Sequence, residues 1–147
     1  MDNYYIQIIF QLVLAVALGG IIGLERETKR KAAGFQTYSL VTLGACLFTI
    51  IAYELFTNFT GKSGISFDPS RIILAVATGI GFIGAGVIIR RQFQIEGITT
   101  AAGLWCSAGI GVAVGAKLYF LAFLTTILAT IILIVFGSIE KKFFGTG

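Results

Sequence analysis

The chain contains no histidine, only two cysteines among its 147 residues, and only seven acidic side chains. Without histidine it lacks the commonest metal ligand and the side chain most often used as a general base. Cys46 and Cys106 lie far apart, outside any CxxC spacing, each inside an apolar run, so they read as packing residues rather than as a zinc or redox pair. No nucleophile and base stand together, so the chain is not expected to be an enzyme: no catalytic residue, cofactor or metal ligand set is indicated. Charged residues make up 12% of the chain, against about a quarter in an ordinary soluble domain. The exposed segments are short, with no mixed run of basic and aromatic residues of the kind that binds nucleic acid.

What the chain does have is apolar length. It is 56% hydrophobic, with a mean hydropathy of +0.93. Crossing roughly 30 Å of hydrocarbon takes about 20 helical residues, and five runs approach that length: 4–24, 38–57, 72–89, 98–115 and 118–136. The expected fold is an all-α integral membrane protein with five transmembrane helices. Residues 1–147 are expected to form a single membrane domain with no soluble C-terminal domain.

Basic residues orient it. Arg26, Lys29, Arg30, Lys31, Arg90, Arg91, Lys141 and Lys142 fall in one set of alternate connecting segments, and Lys62, Arg71 and Lys117 in the other. The positive-inside rule puts the larger set in the cytoplasm, with the N-terminus outside and the C-terminus cytoplasmic. "AVA" at 15–17 resembles a signal-peptide cleavage site, but no basic n-region precedes it, so the first run is kept as a helix.

The stretch "TGIGFIGAG", 78–86, has the G-x-G-x-x-G spacing of a dinucleotide loop. It sits within an apolar run, without the required strand before it or an acid about 20 residues later. It is read instead as a glycine-rich membrane helix. Ala75, Gly79 and Gly86 fall on one side and Ala77, Gly81 and Gly84 on the other, which predicts a helix sandwiched between neighbours. The fourth run repeats the pattern in "AGIGVAVGA", 108–116, with Gly109 and Gly111. The eight-residue connection "RRQFQIEG" predicts an antiparallel hairpin folded about Gln94, with Gly79 opposite Gly109. Small residues allow the close backbone approach that drives helix association in lipid, and Gly-interrupted spans also mark substrate sites in transporters.

The first run ends in "GLERETKRKAAGFQT". The pairs Glu25–Lys29 and Glu27–Lys31 have favourable i, i+4 spacing, and the helix is predicted to continue until Gly34. Lys29, Arg30 and Lys31 read as solvated surface charges. Glu25 and Arg26 directly follow Leu24 at the membrane boundary, where an ionisable group needs a partner or a wet cavity. Glu25, Arg26, Glu27, Arg90, Glu96, Thr99 and Thr100 are therefore grouped as a candidate polar cluster, either functional or a structural lock. On the outer side, "FDPSR" makes Asp68 an N-cap with Pro69 at the first helical position, and gives Arg71 the choice of Asp68 or a lipid phosphate.

Together these stretches resemble the MgtC/SapB family of bacterial inner-membrane proteins: "GGIIGLERE" at 19–27, "AGFQTYSLVTLGA" at 33–45, "DPSRI" at 68–72, "GIGFIGAGVIIR" at 79–90 and "GITTAAGLW" at 97–105. The matching motif residues are Glu25, Arg26, Glu27, Gly34, Thr37, Asp68, Arg71, Gly79, Gly81, Gly84, Gly86, Arg90, Gly97, Thr99, Thr100 and Trp105. The resemblance implies a multi-pass protein of the inner membrane tied to growth in low magnesium and, in pathogens, to survival inside phagocytes. It further implies regulation of a membrane complex such as the proton-driven ATP synthase. A Mg²⁺ transporter or channel with a polar site at the cytoplasmic rim is the alternative. Self-association, as a dimer, is compatible with both.

Overall fold

The computed structural model describes residues 2–59, 68, 70–91 and 94–144. Pro69, Lys62 and the final Gly145, Thr146 and Gly147 lie outside them. The elements in order are α1 (Asp2–Thr28), α2 (Phe35–Phe59), α3 (Ser70–Val87), the short strands β1 (Ile89–Arg91) and β2 (Gln94–Glu96), α4 (Ile98–Gly115), α5 (Tyr119–Ile131), a π-helical turn (Ile132–Phe136) and α6 (Gly137–Phe144). Among the described residues five helices are long and apolar enough to cross a membrane, the last running through the π turn from Tyr119 to Glu140. The five expected spans are present, and the first is built into the core through Ala15, Leu18 and Ile22.

α4 is the centre of the molecule. Just over half of its span is buried, 56%, against 11% for α3. α1, α2 and α4 pack closely on one another, while α3 lies on α4 and barely touches α2. The core gathers Leu18 and Ile22 of α1, Tyr38 and Cys46 of α2, and Leu104, Ile110 and Val114 of α4.

α1 stops at Thr28, earlier than predicted, because Arg30 takes the left-handed conformation (φ 51°). Lys31 N–H then donates to Arg26 O (3.0 Å) and Arg30 N–H to Glu27 O (2.9 Å), the paired bonds of a Schellman cap. α4 ends in the same way, with Lys117 left-handed (φ 65°) and Leu118 N–H donating to Ala113 O at 2.8 Å. A basic residue occupies the position usually given to glycine in both caps, so neither stop was signalled by a glycine.

The α3–α4 connection is a β-hairpin, with Arg90 opposite Ile95 and Arg91 opposite Gln94. This register differs from the expected fold about Gln94, and the helices below keep it: Gly84 faces Ala101. Gly97 closes the hairpin at φ 90°, where a Cβ would collide with Val87 O. Only glycine suits both demands.

The helices also tie off one another's polar ends. Gln11, 2% exposed, donates from α1 to Val114 O (2.8 Å) and Gly115 O (3.0 Å), satisfying the last carbonyls of α4. Lys117 lies over the Tyr53 ring, 5.3 Å from its centroid. Tyr4, Tyr5 and Tyr53 are exposed at this end, as in the aromatic belt of a membrane interface.

Candidate functional site at the opposite end

The last turn of α1 carries Glu25 and Arg26, and Lys29 follows at its cap. Arg26 is 4% exposed and donates through Nη2 to Thr100 Oγ1 (2.9 Å) in the first turn of α4. Thr100 O accepts the Tyr38 hydroxyl of α2 at 3.1 Å. Three helices thus meet at one threonine. The ring fits because Gly103 leaves the space: a Cβ there would run into Tyr38 Oη.

Glu25 sits beside this junction with its side chain 8% exposed, its carboxylate 3.6 Å from Arg26 Nη1 and 2.5 Å from Lys29 Nζ. These are ion pairs without hydrogen-bond direction, since neither carboxylate oxygen accepts a hydrogen bond and Arg26 Nε finds no acceptor. One negative charge is set against two positive ones. Lys29 has a second role, donating to Leu133 O at 3.1 Å. Leu133 lies in the π turn, where the shifted backbone ladder leaves a carbonyl for an outside donor. Lys29 therefore joins the end of α1 to the fifth span, and is not simply a solvated surface charge.

The other members of the predicted cluster are placed differently. Glu27 is exposed and accepts Phe35 N–H at 3.1 Å, capping α2 instead of pairing with Lys31; α1 has ended before Lys31 could reach it. A Cβ on Gly34 would collide with that carboxylate. Arg90 and Glu96 stand exposed on the two hairpin strands and Thr99 is exposed on α4. Glu25, Arg26 and Thr100 are brought together. Sequence reading missed Tyr38 and Gln11, although a polar residue inside an apolar span is itself a signal; nothing in the sequence marked the π turn.

Of the six glycines predicted to pack helices, Gly84 meets Ala101 and Gly111 presses on Thr42 O, whereas a Cβ on Gly79, Gly81, Gly86 or Gly109 would meet nothing within 4 Å. Among the described residues α3 is therefore not sandwiched. Asp68 accepts Ser70 N–H (3.0 Å) and the Ser70 hydroxyl (2.6 Å), and these bonds hold its carboxyl below the ordinary carboxylate value. Arg71 Nε is 3.9 Å from Asp68 Oδ2, and both side chains are largely exposed.

The MgtC family profile matches residues 12–142. The chain belongs to the MgtC family. It is similar to the "Putative magnesium transporter YhiD" of Escherichia coli (strain K12), 39% identical over 136 residues, which covers 92% of this chain and 63% of that protein. It is also similar to the protein SapB of Bacillus subtilis (strain 168), 40% identical over 82% of this chain and 53% of SapB. The protein MgtC of Brucella abortus (strain 2308) is 40% identical over 77% of this chain and 44% of that MgtC. The chain thus spans about half to two thirds of the length of these relatives. No solved structure matches it. Within this MgtC-family membrane protein, the stretch "GLERE" supplies both the inward junction of Arg26 and the outward cap of Glu27.

Proposed function

We propose that this protein serves magnesium homeostasis, in adaptation to low Mg²⁺, as a regulator that docks against another complex of the bacterial inner membrane. Its basic end faces the cytoplasm in this reading. The observation that carries it is the Glu25 cluster, in which one negative charge faces two positive ones. The Glu25 side chain is only 8% exposed, and it already faces Arg26 and Lys29. Mg²⁺ sheds water reluctantly and needs uncommitted oxygens, so a site with net positive charge repels it. The hydroxyls along α2 support the same reading, since Thr42 and Thr49 donate to the carbonyls of Tyr38 and Ala45 on their own helix. The outer side of α3, with Gly81 between exposed Leu74 and Phe82, offers a surface on which a partner helix could approach closely. The family resemblance makes the proton-driven ATP synthase the partner to test first, and links the protein to survival of pathogens in phagocytes.

Transport is the second reading, favoured by the name that the Escherichia coli relative carries. One pair of experiments separates them. Under the regulator reading, affinity purification from native membranes yields a stoichiometric partner, and liposomes holding the pure protein and a Mg²⁺-sensitive dye show no flux. Mg²⁺ flux abolished by Glu25→Gln would establish the transporter instead.

A further inference from the structure

Because α3 leans on α4 and hardly touches α2, a groove of about 880 Å³ opens between α2 and α3. Its walls are apolar, with Gly44 and Phe48 on α2, Ala75, Gly79 and Ile83 on α3, and Ala108 of α4 as the floor. Gly44 and Gly79 line it from opposite walls, and a Cβ on either would meet nothing within 4 Å. Space is thus left along both walls.

The groove has one charged end. Arg71 lines it at the start of α3, its side chain 84% exposed and, among the described residues, its only ion pair the long one to Asp68. Asp68 is itself engaged by Ser70, and among the described residues most of the guanidinium's donors are uncommitted. At the opposite end the lining residues are Thr37 and Ile83, without charge. From Arg71 to Ile83 the helix rises about 18 Å at 1.5 Å per residue, enough to lay out an acyl chain from a phosphate held on Arg71. A phospholipid matches this groove, with one anionic end and an apolar chain to lie along its walls. Guanidinium is also the side chain best matched to a phosphate.

We propose that the α2–α3 groove is a phospholipid site, with the lipid phosphate on Arg71 and an acyl chain lying along Gly44 and Gly79. This site is separate from the Glu25 cluster and does not depend on how that cluster is read. The test is to extract the full chain in mild detergent, wash it extensively, and count bound phospholipid per chain by native mass spectrometry and phosphorus assay. One phospholipid per chain is expected for the wild type, and about tenfold less for Arg71→Ala, the loss of a charge-assisted phosphate contact. Gly79→Leu, which fills the groove, should give a similar loss; Gly44→Leu fills it from the other wall should the first variant not fold. Equal retention in all variants, or none in the wild type, would overturn the proposal. So would loss on filling the groove but not on removing Arg71, which would mean that any apolar chain, detergent included, occupies it. Efficient cross-linking of Gly79→Cys chains to one another in native membranes would overturn it in favour of a second copy.

Discussion

Glycines in two regions of this molecule have opposite surroundings. In α1 and α4 all but Gly109 are closed: a Cβ at Gly23 would lie 2.7 Å from Phe35 Cα, one at Gly115 2.6 Å from Thr49 Cβ, and one at Gly111 would strike Thr42 O. In α3 they are open: Gly79, Gly81 and Gly86 face nothing within 4 Å, and Gly84 makes an ordinary contact with Ala101. Small residues permit close approach without requiring it. What decides is the rest of the helix. α1 and α4 offer polar tethers, Arg26 to Thr100 and Gln11 to the end of α4, which fix where the backbones meet. The described residues of α3 show no such tether to the bundle, and its wide apolar face is left for lipid or partners.

The sharpest way to break this contrast is at the tether. Arg26→Ala would leave Glu25 buried against Lys29 alone and Thr100 without its donor, a loss of about 3–5 kcal/mol by analogy with other buried pairs stripped of one partner. Thermal unfolding in detergent should show a large drop, and Glu25→Gln/Arg26→Met should recover most of it, because a buried pair replaced on both sides is often neutral. Failure of the double variant to recover would mean that Arg26 acts through Thr100 rather than through charge.

Next is the closed glycine. Gly111→Val places a branched side chain against the backbone of Thr42, which cannot swing away as a side chain would, and overpacking of this kind costs about 1–3 kcal/mol or more. The expected result is a protein that unfolds at lower temperature or fails to assemble. Wild-type stability would mean that α2 and α4 stand further apart than the Gly111 contact indicates.

Much of this organisation could be read from the sequence. Apolar length gives the five spans, and the cost of placing charge at a membrane boundary singles out Glu25 and Arg26. The glycine-rich fourth run belongs to the helix that is most buried. Two kinds of feature escaped. Helix ends depended on left-handed Arg30 and Lys117, which no residue preference marks, and with α1 ended early Glu27 turned to Phe35. The direction of the α3 glycines depended on tertiary packing: a helical wheel places residues on faces but does not say which face has a neighbour.

A smaller effect tests the N-terminal end of the open helix. Hydrogen bonds from Ser70 lower the folded carboxyl of Asp68, so its contribution is fully present at neutral pH and is lost as pH falls through the folded value, below about 4. The melting difference between wild type and Asp68→Ala should be present at pH 7 and shrink towards pH 3. A difference that grows on acidification would show that the proton is held more tightly in the folded state, against the cap geometry.

The smallest expected change is the most informative about α3. From its sequence, Gly81 reads as a packing position where leucine would prevent assembly, yet a Cβ there meets nothing in this chain. Gly81→Leu should therefore fold with a melting temperature close to wild type, within the roughly 0.5 kcal/mol typical of changes away from packed features. The same variant separates lipid from protein on that face. If lipid covers it, a longer side chain is absorbed and co-purification from native membranes is unchanged. If a partner helix lies there, close approach needs the missing side chain, and the partner should be lost while the fold survives. A Gly81→Leu protein that fails to fold in detergent, with no partner present, would return α3 to the closed class and erase the contrast with α1 and α4.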